Sequence, residues 1–138
     1  MSRILPRPTA LSQPYWDGAR EGVLLLQHCI DCDEFQFYPR IICSSCGGAS
    51  LDWQASSGKG TVASFTIVRR GISADYPAPY VVALIDLQEG PRMMSSLVDV
   101  AAENVRVGLP VAVTFTDWSD DIAVPEFRPL NNSIGEFP

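Results

Sequence analysis

Histidine and positive charge are both scarce in this chain, and each scarcity removes a class of function. His28 is the only histidine among 138 residues, and it directly precedes Cys29. A serine triad would need that one imidazole as its base, so no triad is expected. Ten lysines and arginines face sixteen aspartates and glutamates, a net charge of -6. Nucleic-acid binders usually carry the opposite sign, because counterion release from phosphates drives their affinity.

Long apolar runs are missing too. The longest aliphatic cluster, Val23 to Leu26, is far below the roughly 18 residues that cross a bilayer. Met1 to Gln13 is polar and proline-bearing, without a stretch of signal-peptide type. A soluble, cytoplasmic protein with no membrane partner is therefore expected. There are no repeats or low-complexity tracts, and no glycine-rich phosphate loop. Gly58-Lys59-Gly60 is too short for one and precedes a strand; its glycines are expected to let that strand bend. The composition is 46% hydrophobic and 19% charged, which argues for a globular chain rather than a disordered one.

The informative feature is four cysteines, Cys29-x-x-Cys32 and Cys43-x-x-Cys46. A two-residue gap lets two thiolates on one tight turn reach the same ion, and a second such turn completes a tetrahedron. Gly47 and Gly48 suit the bend after the second turn. Disulfides would suit an oxidising compartment, and a redox Cys-x-x-Cys would need a helix N-terminus in a thioredoxin-like setting. Neither context is apparent. Iron fits the same spacing, but zinc is the commoner occupant. With four protein ligands no position is open to water, so the ion, Zn2+, is expected to be structural and the chain to lack a catalytic set of its own. Asp31, Asp33 and Glu34 around the first turn are expected to face solvent, as are Asp117, Asp120 and Asp121.

Around this motif the pattern is mainly β. Pro14 to Glu21 reads as a short helix, with Tyr15 and Trp16 packing on their own domain or meeting a partner. Val23 to Gln27 reads as a strand entering the first cysteine turn. Five further strands are expected at Thr61 to Val68, Val81 to Leu87, Met93 to Val98, Val111 to Thr116 and Ala123 to Arg128. Val81 to Leu87, nearly all apolar, reads as buried on both faces. One helical turn at Ala101 to Asn104 falls between the third and fourth of these strands, which is the plan of an OB-fold barrel. The expected division is an arm and short helix (1–22), a zinc ribbon (23–51), an OB-fold (52–130) and a tail (131–138) that frays unless a partner holds it.

The order of motifs resembles a family in which a rubredoxin-like zinc ribbon precedes an OB-fold and which is associated with acyl-CoA enzymes. The resemblance rests on Tyr15-Trp16-Asp17-Gly18, Leu25-Leu26-Gln27-His28-Cys29, Pro39-Arg40 with Cys43 and Cys46, Gly58-Lys59-Gly60-Thr61-Val62, Pro79-Tyr80-Val81-Val82, Val105-Arg106-Val107-Gly108 and Phe127-Arg128-Pro129. It implies a non-catalytic accessory subunit in a hetero-oligomer with a thiolase-superfamily enzyme, an acyltransferase or steroid side-chain aldolase, sharing its acyl-CoA site. Asp33 departs from the family, where a glycine often follows the first cysteine turn. Coenzyme A phosphates call for cations near an apolar groove, which singles out Lys59 and the adjacent pair Arg69-Arg70. The competing expectation is a single-stranded nucleic-acid binder, since ribbons and OB barrels both serve that role.

Overall fold

The computed structural model describes residues 4–130; the tail at 131–138 lies outside them. Helix α1 (Gln13–Arg20) begins where Pro14 fits the first turn and is followed, after Glu21, by Gly22, whose φ of +78° suits glycine. It buries Tyr15, Gly18 and Ala19.

Three strands follow: β1 (Leu25–Cys29), β2 (Phe35–Gln36) and β3 (Leu51–Ala55), in the order β2-β1-β3. β1 begins two residues later than the sequence suggests and carries Cys29 at its end. β3 pairs antiparallel with β1 along its full length, Leu25 opposite Ala55 and Cys29 opposite Leu51. The division expected between residues 51 and 52 thus falls inside a strand of this sheet.

The barrel consists of β4 (Lys59–Val68), β5 (Tyr80–Leu87), β6 (Arg92–Leu97), β7 (Pro110–Asp117) and β8 (Ala123–Pro129). It closes in the order β4-β5-β6-β8-β7, with β6 and β8 parallel at Leu97 and Phe127 and β4 returning to β7. A single 3-10 turn, Ala102–Asn104, lies between β6 and β7. This is the expected OB-fold plan.

Two local features close the barrel. Gly60 approaches β5 so closely that a Cβ there would lie 2.5 Å from the Asp86 carbonyl oxygen. The register shifts between Val62 and Ser64, leaving Ala63 as a bulge. That extra residue reverses the side-chain alternation, so Val62 and, beyond the bulge, Phe65 and Ile67 all turn toward the core. Val62, Ile85, Val111 and Phe127 are fully buried, and Leu24 and Leu26 join the same core from the ribbon side.

β5 corrects one expectation. Val81, Ala83, Ile85 and Leu87 are buried, but Val82, Leu84 and Asp86 are only half covered. The strand has one face in the core and an apolar outer face, not two buried faces.

Candidate metal centre and apolar face

The four cysteine sulfurs all lie within 4.8 Å of one another. Cys29 and Cys46 are 3.7 Å apart at Sγ, and Cys32 and Cys43 are 3.6 Å apart. A tetrahedral ion with metal–sulfur bonds of about 2.3 Å sets its ligands about 3.8 Å apart, so the donor set fits zinc. All four are free cysteines.

Two tight turns place them. The Asp33 N–H donates to the Cys29 carbonyl (2.8 Å), and the Gly47 N–H donates to the Cys43 carbonyl (2.9 Å). Backbone N–H groups also point at the sulfurs. Those of Ser45 and Cys46 donate to Cys43 Sγ (3.3 and 3.5 Å), and that of Gly48 donates to Cys46 Sγ (3.4 Å). The Cys46 and Ser45 N–H groups pull the Cys43 thiol down to about 6. Cys32 goes the other way, to about 12: the Glu34 N–H favours its thiolate, but burial and the neighbouring sulfurs outweigh it. Four thiolates this close repel one another unless a cation joins them.

His28 is largely enclosed, with 11% of its side chain exposed. Its Nε2 lies 2.6 Å from Asp33 Oδ1 and its Nδ1 lies 3.0 Å from Asp52 Oδ1. The hydrogen bond to Asp33 raises the imidazole above its ordinary value; burial opposes this and Asp52 reinforces it. Asp33, which stands where the family often has glycine, takes a φ of +65°, a region that aspartate tolerates better than most residues. Its carboxylate supplies the imidazole with a partner that glycine cannot offer.

Sequence reasoning missed the two buried glutamines that hold the segment between the cysteine pairs. Gln27 accepts from the Arg40 N–H (2.9 Å) and donates to the Arg40 carbonyl (3.0 Å). Gln36 donates to Gln27 Oε1 (2.7 Å) and accepts from the Ser44 N–H (2.8 Å). Nothing in the sequence signals them, because each is an ordinary polar residue until β1 and β2 pair.

The fixed segment carries apolar side chains outward: Tyr38 is 59% exposed and Ile41 is 77% exposed. Tyr15, Trp16, Phe37, Tyr38, Pro39 and Met94 line a depression of about 310 Å³. From Met94, itself 61% exposed, the apolar surface continues over Val82 and Leu84 on the barrel. Trp16 is half-buried on this surface while Tyr15 is buried, its ring edge-on to Phe37 at 5.7 Å.

Lys59, Arg69 and Arg70 are exposed, and among the described residues none forms an ion pair. They do not come together. Lys59 opens β4 and Arg69-Arg70 follow its end, so the ten-residue strand, rising at most about 3.3 Å per residue, stands between them. Asp117, Asp120 and Asp121 are exposed around the β7–β8 turn. No helix among the described residues is long and apolar enough to cross a membrane.

Known proteins match both halves of this architecture. A family model described as the ChsH2 rubredoxin-like zinc ribbon domain matches residues 16–52, and one described as the ChsH2 C-terminal OB-fold domain matches residues 53–116. A DUF35 domain-containing scaffold protein of Pyrococcus furiosus is 36% identical over 134 residues, covering 92% of this chain and 98% of that protein. A Thermomonospora curvata protein described as "Probable enoyl-CoA hydratase alpha subunit" is 30% identical over 128 residues. That match covers 91% of this chain but 40% of the relative, so the chain spans less than half of its length. Among solved structures, a chain of an Ltp2-ChsH2(DUF35) aldolase superposes with a TM-score of 0.83 and 28% identity, covering 91% of this chain and 98% of that one. The chain belongs to the DUF35 family of ChsH2-type proteins, in which a rubredoxin-like zinc ribbon precedes an OB-fold.

Proposed function

We propose that this protein is a non-catalytic accessory subunit that binds a thiolase-superfamily enzyme, of acyltransferase or steroid side-chain aldolase type, and helps form its acyl-CoA site. The observation that carries the reading is the similarity, over nearly the full length of both chains, to the DUF35 chain of an aldolase complex. The exposed apolar surface around Met94 and Tyr38 supports it, because contiguous apolar patches of this kind mark interaction sites. Zinc, held by Cys29, Cys32, Cys43 and Cys46, has a structural role in this reading: it fixes the ribbon that presents half of that surface. The alternative of single-strand binding finds less support. The outer face of β5 and β6 presents Val82, Leu84, Met94 and Ser96, and its one cation, Arg92, is already paired with Asp86 at 2.6 Å.

In this role Lys59, Arg69 and Arg70 contact the shared acyl-CoA, Lys59 from the opening of β4 and the arginine pair, at the phosphates, from beyond its end. Co-expression with a thiolase-superfamily partner, followed by affinity purification, tests the assembly. The expected result is a stable complex that Met94→Asp weakens at least about tenfold, as loss of an interface anchor does. Changing Arg69 and Arg70 together to Ala is expected to raise the complex's KM for acyl-CoA more than it lowers kcat. Acyl-CoA turnover by this chain alone, or tight salt-sensitive binding of single strands in place of a protein partner, would replace this reading.

A further inference from the structure

The four sulfurs share one site but not one environment. Cys29 is fully buried and Cys43 is 3% exposed. Cys32 is half-buried, and Cys46 alone is exposed. Cys43 accepts two backbone N–H bonds, and Cys46 accepts one, from Gly48. Gly47, directly after Cys46, has a φ of +79° and nothing within 4 Å of where a Cβ would stand. The turn is open on that side.

Across the site Cys46 faces a sulfur from the other cysteine turn. Cys29 Sγ lies 3.7 Å away, on the last residue of β1, and the other close pair is Cys32 with Cys43 at 3.6 Å. A disulfide needs its sulfurs about 2.05 Å apart, so this pair must close from the 3.7 Å at which the two sulfurs stand.

We propose that Cys46 is a modification site, the point at which hydroperoxides and other soft electrophiles enter the metal centre, and that oxidation joins it to Cys29. The Cys46 sulfur donates an electron pair to one peroxide oxygen. The O–O bond breaks, hydroxide leaves and takes a proton to become water, and Cys46 becomes a sulfenic acid. The Cys29 thiolate then attacks the Cys46 sulfur, the S–O bond breaks, and a second hydroxide is protonated to water. In sum, two thiolates, one hydrogen peroxide and two protons yield one disulfide and two waters. The ion, left with Cys32 and Cys43 only, passes to solvent. Accessibility sets the point of entry, since thiolate reactivity in proteins follows exposure.

The test uses the wild-type, zinc-loaded full chain, so no variant has to fold. Limiting N-ethylmaleimide followed by peptide mass mapping is expected to show Cys46 labelled at least about tenfold faster than Cys29 or Cys43. One equivalent of hydrogen peroxide, quenched with excess N-ethylmaleimide, is expected to give a Cys29–Cys46 disulfide. Zinc captured by a chromophoric chelator should match that disulfide one for one. Faster labelling of Cys32, a disulfide within either Cys-x-x-Cys turn, or zinc release without any disulfide would overturn the proposal.

Discussion

The ribbon and the barrel are both β, yet different forces hold them. The barrel surrounds an apolar interior of Val62, Ile85, Val111 and Phe127, all essentially inaccessible to water. The ribbon side contributes Leu24 and Leu26 to that interior, with Phe35, Phe37 and Trp53 half-buried against it, and its outer half contains four sulfurs and two buried glutamines. A segment of this size cannot bury enough apolar surface to stand alone, so under the proposed reading a metal supplies what the core does not. The difference teaches that a perturbation should strike one region and spare the other.

The largest separation is expected from Cys43→Ser. Structural zinc contributes an apparent 10–16 kcal/mol in comparable peptide sites, roughly, so loss of one ligand should melt the ribbon. Near-ultraviolet circular dichroism and zinc content should both fall while barrel strand signals persist. Simultaneous loss of barrel signals would break the comparison. Phe127→Ala should do the converse, costing about 3–5 kcal/mol in denaturant unfolding of the barrel while zinc stays bound below the transition. A milder effect is expected at Gln27→Ala, which strands the Arg40 N–H and carbonyl beneath the ribbon loop, at about 1–3 kcal/mol. Its signature is faster exchange of the Arg40 and Ser44 amides with zinc retained.

The smallest effect lies at the junction. Ser56 Oγ and the Ser57 N–H both donate to the Glu89 carboxylate at 2.8 Å, tying the connection between β3 and β4 to the β5–β6 turn. Burial pushes this carboxyl up, but the hydrogen bonds from Ser57 and Ser56 outweigh it and hold it below its ordinary 4.5. A group depressed in the folded state stabilises fully above its unfolded value, and that contribution disappears as pH falls through the folded value. Glu89→Gln should therefore cost about 0.5–1 kcal/mol at pH 7 and nothing at strongly acid pH. An equal cost at both pH values would remove the carboxylate from the junction.

Much of this comparison is legible in the sequence, for a physical reason. Metal ligands on tight turns and alternating strands are local patterns, so the cysteine spacing, the five barrel strands and the glycine at residue 60 can be read directly. What escapes is long-range. Nothing near Trp53 says that β3 pairs back to β1, because the partner lies more than twenty residues earlier. The bulge at Ala63 appears only when Val62 and Phe65 are both found facing inward. Gln27 and Gln36 read as ordinary polar strand residues until the loop they hold is in place. Val82 and Leu84 looked like core for the sound reason that they are apolar; they are instead the outer surface proposed to meet a partner.

The central claim is that one ion bound by four sulfurs supports the ribbon and not the barrel. Residue-resolved hydrogen exchange on the native chain, recorded before and after stoichiometric chelation, tests it most directly. The account predicts one equivalent of metal released and lost protection at the Cys29, Asp33, Cys43 and Gly47 amides, with Ile85 and Val111 unchanged. Protection that survives in all four ribbon amides after the metal is gone would contradict it.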